Sequence, residues 1–146
     1  MDSSKEIHLT PTGHKAARSV LRRHMLSELL LARILDVPWS RVHQEADAME
    51  HTISPETVER LVAKLDYPEM CPHGNPLPGY EDGIAGFVPL TEARIGQCLI
   101  IRRVHESAEE QPKLMAYLEQ NGSGDGGQKK RRRGAAAPVE RVEESA

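Results

Sequence analysis

The chain has 146 residues with a formal net charge of −3, 28% charged and 38% hydrophobic residues, and only 3% aromatics. That balance describes a helix-leaning domain or two with a thin core, of the kind often stabilised by a partner subunit or a bound metal. It excludes a disulfide framework, since Cys71 and Cys98 are the two cysteines, and no apolar run is long enough to span a membrane.

Glu6 to Gly13 opens with alternating Ile7 and Leu9, which predicts a short strand within residues 1–10. Thr10-Pro11 is a helix start, a capping hydroxyl followed by proline in the first turn. Ala17, Val20, Leu21, Met25, Leu29 and Ile34 then return to one side of a helix reaching about Leu35. Asp36-Val37-Pro38 ends it and opens a second helix to about Thr52. Ser54-Pro55 caps a third, with Val58, Leu61, Val62 and Leu65 as its apolar face. Residues 11–66 are thus a three-helix unit in a mainly α protein.

Residues 67–86 are too rich in proline and glycine for regular structure and read as a linker or an ordered turn. Gly96 to Val104 predicts a strand and residues 109–120 a short helix, so 87–120 is a second, partial module. Residues 121–146, with a Gly/Ser stretch and the basic run Lys129 to Arg133, read as a disordered tail. Nothing at Met1 to Lys5 resembles a signal peptide, so a cytoplasmic location with reduced thiols is expected.

The chemistry-bearing residues concentrate in the three-helix unit. His43, Asp47, Glu50 and His51 fall within an arc of roughly 100° on the second helix, at about 100° per residue. His24 and Glu28 lie one turn apart on the first. Packed side by side, the two helices gather imidazoles and carboxylates whose mutual repulsion a divalent cation relieves. The donors are nitrogen and oxygen without thiolate, which suits manganese or ferrous iron better than a cysteine-rich zinc site. Solvated helix faces are the plain alternative. His73, beside Cys71 in the turn, lacks a second ligand pair nearby in sequence and reads as structural. No phosphate loop or nucleophile–base arrangement is present, so no catalytic residue is assigned.

Arg23-His24-Met25-Leu26-Ser27-Glu28, then Val42 to His51, then Cys71-Pro72-His73-Gly74-Asn75-Pro76-Leu77-Pro78, resembles the metal-binding and dimerisation domain of the iron-dependent repressors. This is the family of the diphtheria toxin repressor and the manganese transport regulator. The resemblance covers about Glu6 to Pro78 and continues more weakly through 87–120, which is similar to the start of the family's small SH3-like, FeoA-like module. It implies that His24, Glu28 and His43 match an ancillary metal site and Asp47, Glu50 and His51 the regulatory one. Asp47 stands where iron-sensing members usually have cysteine and manganese-sensing ones glutamate, which leans towards manganese, with iron close behind.

The resemblance also implies a homodimeric, metal-dependent transcriptional regulator rather than an enzyme. The family's winged helix-turn-helix is not matched here beyond a remnant of its wing at residues 1–10. Operator binding by this chain alone is therefore not expected. The alternatives are a dimerisation partner that modulates a full-length relative and, far behind, a metalloenzyme.

Overall fold

The computed structural model describes residues 8–96 and 99–122. Five α-helices appear in order: α1 (Pro11–Arg33), α2 (Val42–Met49), α3 (Pro55–Lys64), α4 (Glu106–Glu109) and α5 (Pro112–Gln120). Short 3-10 turns lie at Trp39–Arg41, Glu81–Ile84 and Leu90–Glu92. Among the described residues no helix is long and apolar enough to cross a membrane.

The helix starts follow the capping chemistry in the sequence. Thr10 Oγ1 accepts from Gly13 N at 3.1 Å and Ser54 Oγ from Thr57 N at 3.2 Å, each ahead of a first-turn proline. The second helix is shorter than its periodicity suggests. Pro38 has no N–H, and Trp39–Arg41 tightens into a 3-10 turn before α2 begins at Val42. α1 stops at Arg33, and Asp36 takes a left-handed φ of 53° that redirects the chain.

Only the C-terminal half of α1 is enclosed, from His24 to Leu29 and at Leu31. Met25, Leu26 and Leu29 pack with Val58, Val62 and Leu65 of the α3 segment and with Cys71 and Leu77 of the following turn. On the next face Leu31 meets Val42 and Ala46 of α2. Trp39, Val104 and Met115 form a third cluster, which ties the C-terminal helices to the start of α2. Ser40 Oγ donates to Glu119 Oε2 at 2.6 Å across the same contact.

The strand expected over 96–104 is not formed among the described residues. Residues 99–104 have no regular structure, and Leu99, Ile100 and Ile101 are exposed. A strand needs a partner to complete its ladder. Among the described residues the only bridge is an isolated antiparallel one between Met70 and Pro76. The wing strand drawn from Ile7 and Leu9 lies partly outside the described residues, and its described part, His8 and Leu9, is not strand. The expected disordered tail lies outside them from residue 123 onward.

Residues 71–77 are held firmly. Cys71, His73, Asn75 and Leu77 are all buried, and Val104 N donates to His73 O at 2.9 Å. Gly74 makes that approach possible. Its φ is +82°, and a Cβ there would drive into the Arg102 carbonyl. Gly74→Ala is therefore expected to lower stability by about 2 kcal/mol or more. Chemical denaturation with an unchanged midpoint would contradict this packing.

Candidate metal centre

α1 presents His24 and Glu28 to α2, because residues four apart stack on one helix face. α2 returns His43 from its first turn. The donor atoms converge. His24 Nε2 lies 3.1 Å from His43 Nδ1 and 3.4 Å from Glu28 Oε1, and His43 Nδ1 is 3.3 Å from the same oxygen. Glu28 has 1% of its side chain exposed.

Two more residues complete the enclosed face. Glu109, from α4, places Oε2 3.0 Å from His43 Nδ1 and 3.0 Å from His73 Nδ1. His73 Nδ1 is 3.2 Å from Glu28 Oε1. Asn75 orients Glu109 by donating from Nδ2 to Oε1 at 2.6 Å. Glu109 carried no signal in the sequence, because its helix reaches the cluster only through the Trp39–Val104–Met115 packing. His73 was visible but read as structural, since its neighbours in space are far from it in sequence. The Cys-Pro-His-Gly turn between two apolar anchors was the signal available for it.

The second set of residues sits on the other edge of His24. His24 Nδ1 is 3.0 Å from Glu50 Oε2 and 3.3 Å from Asp47 Oδ1. His51 Nε2 reaches Glu50 Oε1 at 3.1 Å, but its side chain is 72% exposed and stands apart from the buried atoms. The six residues singled out from the sequence thus fall into an enclosed group, His24, Glu28 and His43, and an outer group, Asp47, Glu50 and His51. The His24 ring forms the wall between them.

Proton placement follows from the acceptors. A carboxylate only accepts, so His24 Nδ1 carries hydrogen towards Glu50, and its Nε2 faces inward. Burial disfavours charge on Glu28, yet bonds to His24, His43 and His73 hold its carboxyl well below the usual range. Glu109 and then Glu28 push His43 up to about 10 against its burial. Burial opposes charge on His73, but contacts with Cys71, Glu109 and Glu28 outweigh it and raise that ring to about 12. His24 is raised too, with the Glu28 contact overcoming its burial. Burial pushes the Cys71 thiol up to about 11.

These residues fit a divalent cation. Ligand atoms about 2.1 Å from one ion lie roughly 3.0–3.4 Å from each other. The donors of His24, Glu28 and His43 have that spacing to one another, 3.1 to 3.4 Å, and Glu109 lies 3.0 Å from His43. Glu28, His43 and Glu109 are grouped closely enough to share an ion, as are His24, His43 and Asp47. Without a cation, protons must hold the same lone pairs apart.

That proton-held state has a definite pH dependence. His43 and His73 are raised, so their contribution to stability is whole below the unfolded value of 6.5 and is lost as pH climbs towards about 10 and about 12. Glu28 is lowered, so its contribution is lost on acidification below 4.5. In chelator, the thermal midpoint should fall steadily from pH 6.5 to pH 10. A flat or rising midpoint over that interval would contradict the ion pairing.

Comparison with known proteins places the chain among metal-dependent repressors. Residues 10–79 match the model of the iron dependent repressor, metal binding and dimerisation domain. The iron-dependent repressor IdeR of Mycobacterium leprae is 33% identical over 130 residues, covering 82% of this chain and 56% of that protein. Among solved structures, a manganese-dependent transcriptional repressor in complex with manganese superposes with a TM-score of 0.63 at 32% identity, covering 84% of this chain and 57% of the other. ScaR with bound Zn2+ gives 0.64 at 35%, covering 86% and 62%. The chain spans a little over half the length of the curated mycobacterial relatives it matches.

Proposed function

We propose, for a chain whose residues 10–79 belong to the iron-dependent repressor family, that it is the metal-sensing and dimerisation part of a metal-dependent transcriptional regulator. The observation that carries this reading is the His24 ring, with Nε2 facing Glu28 and His43 and Nδ1 facing Asp47 and Glu50. His24 Nε2, Glu28, His43 and Glu109 hold a divalent transition metal in the enclosed position. Asp47, Glu50 and His51 are the outer, regulatory set, and Asp47 and Glu50 also orient His24 as carboxylates behind a ligating imidazole do.

Manganese and ferrous iron are the natural occupants, for two reasons. The donors are carboxylate and imidazole. The relatives include an iron-dependent repressor and a manganese-dependent one that binds manganese. When bound, the ion supplies the positive charge that two buried carboxylates require. The protein does the rest. α1 and α2 orient three donors, α4 brings a fourth, and the Trp39 cluster excludes water from the inner side.

Occupancy therefore ties α4 and the C-terminal helices to α1 and α2, a packed arrangement that metal biases. Residues 87–120 are read as a partial SH3-like module, packed on the helical unit through Trp39, Val104 and Met115. The chain forms a homodimer through α1, α2 and α3. The reading is of a regulator and not an enzyme, as the relatives are repressors. Operator recognition belongs to the winged helix-turn-helix of the family.

Calorimetric titration of manganese, ferrous iron and zinc tests the assignment. Glu28→Gln keeps the shape and removes the central charge, and should weaken binding about 100-fold or more. Asp47→Ala should cost about tenfold, as loss of an outer partner does. Equal affinities in all three proteins would sink the assignment. Sedimentation should give a dimer, and a monomer at tens of micromolar would remove the dimerisation reading.

A further inference from the structure

We propose that Arg103 is a positioning residue for the enclosed cation site, a role that rests on the metal-site reading above and reaches the site through Asn75 and Glu109. Arg103 Nε donates to Asn75 Oδ1 at 2.6 Å. Asn75 Nδ2 in turn donates to Glu109 Oε1 at 2.6 Å and to the Val104 oxygen at 2.8 Å. Asn75 and Glu109 are both buried, each with 3% exposure. Hydrogen bonds therefore run unbroken from a guanidinium to one oxygen of a carboxylate whose other oxygen, Oε2, faces His43.

The direction of each bond is fixed by chemistry. A guanidinium only donates, and a carboxylate and a backbone carbonyl only accept. Asn75 must therefore turn its oxygen to Arg103 and its amide hydrogens to Glu109 and Val104. A flipped amide would set its oxygen against two other oxygens and its hydrogens against a cation. Arg103 locks the amide at the end away from Glu109. It also polarises that amide, which makes Nδ2 a stronger donor. With Oε1 held by Asn75, Oε2 is the oxygen that Glu109 presents to the centre.

The backbone around Arg103 is fixed against the turn that carries Asn75. Val104 N donates to His73 O at 2.9 Å, and Gly74 admits the Arg102 carbonyl in close contact. Glu109 lies further along the same segment, at the end of α4, a helix of four residues with little stability of its own. One stretch of chain thus brings both the carboxylate and the guanidinium that aims it. A guanidinium that only pinned this loop would leave cation affinity unchanged. One that acted by its charge would oppose a second cation, so its removal would tighten binding. Aiming Glu109 through Asn75 has the opposite sign, because its loss weakens binding.

Calorimetric titration of manganese into the full chain and into Arg103→Met, Glu109→Gln and the double variant separates these roles. Arg103→Met should weaken binding about tenfold, as loss of an outer partner does. It should add little to Glu109→Gln in the double variant, since both act at one carboxylate. Unchanged or tighter binding by Arg103→Met, or the same loss in both backgrounds, would overturn the inference. A second measurement needs no variant. In proton–nitrogen spectra of the 15N-labelled native chain, the Arg103 Nε and Asn75 Nδ2 signals should shift when one equivalent of zinc, which is diamagnetic, replaces chelator. Stationary signals while the His43 ring reports zinc would also overturn it. If Glu109→Gln binds manganese as tightly as the native chain, the reading of Glu109 as a ligand fails and takes the inference with it.

Discussion

Glu28 is the residue on which the arrangement depends. An ionised carboxylate with 1% exposure is costly by several kcal/mol unless positive charge or donors surround it. Here one oxygen, Oε1, lies within 3.4 Å of nitrogens from His24, His43 and His73. Those imidazoles come from α1, α2 and the turn after α3, so meeting the needs of one carboxylate draws three separate pieces of chain together. Glu109 adds a second carboxylate and a fourth piece. The centre is thus held by protons or by a cation, and the choice between them is set by pH and by metal concentration.

On the proposed reading, that choice gives the fold its capacity to respond. With protons, His43 and His73 are cations paired to Glu28 and Glu109. A metal must displace those protons, so its affinity rises with pH while the proton-held state weakens. The apolar clusters alone are modest. The Trp39 cluster is tied to the Cys71–Leu77 turn of the α1–α3 cluster by Trp39 Nε1, which donates to Pro72 O. The polar centre links the same pieces of chain, α1, α2, the turn and α4.

Much of the helical unit was legible from the chain itself. Thr10-Pro11 and Ser54-Pro55 announce α1 and α3, and the period of Met25, Leu29, Val58 and Val62 marks the faces that pack. His24, Glu28 and His43 could be placed together because stacked positions on neighbouring helices are a short-range property. Two features escaped. Gly96 to Val104 has β-type composition, yet its described part finds no neighbouring strand. A strand exists only with a partner, and a periodicity cannot supply one. Glu109 and His73 join the centre through tertiary packing over Trp39, a contact spanning 34 residues in sequence between Trp39 and His73. No local pattern encodes that distance.

Anomalous diffraction from crystals of the chain grown with manganese tests the central claim most directly, since it locates the ion without assuming its ligands. The account predicts a strong peak enclosed by His24 Nε2, Glu28 Oε1, His43 Nδ1 and Glu109 Oε2. A peak confined to the exposed edge formed by Asp47, Glu50 and His51, or no peak at all with Glu28 still buried among its histidines, would contradict it.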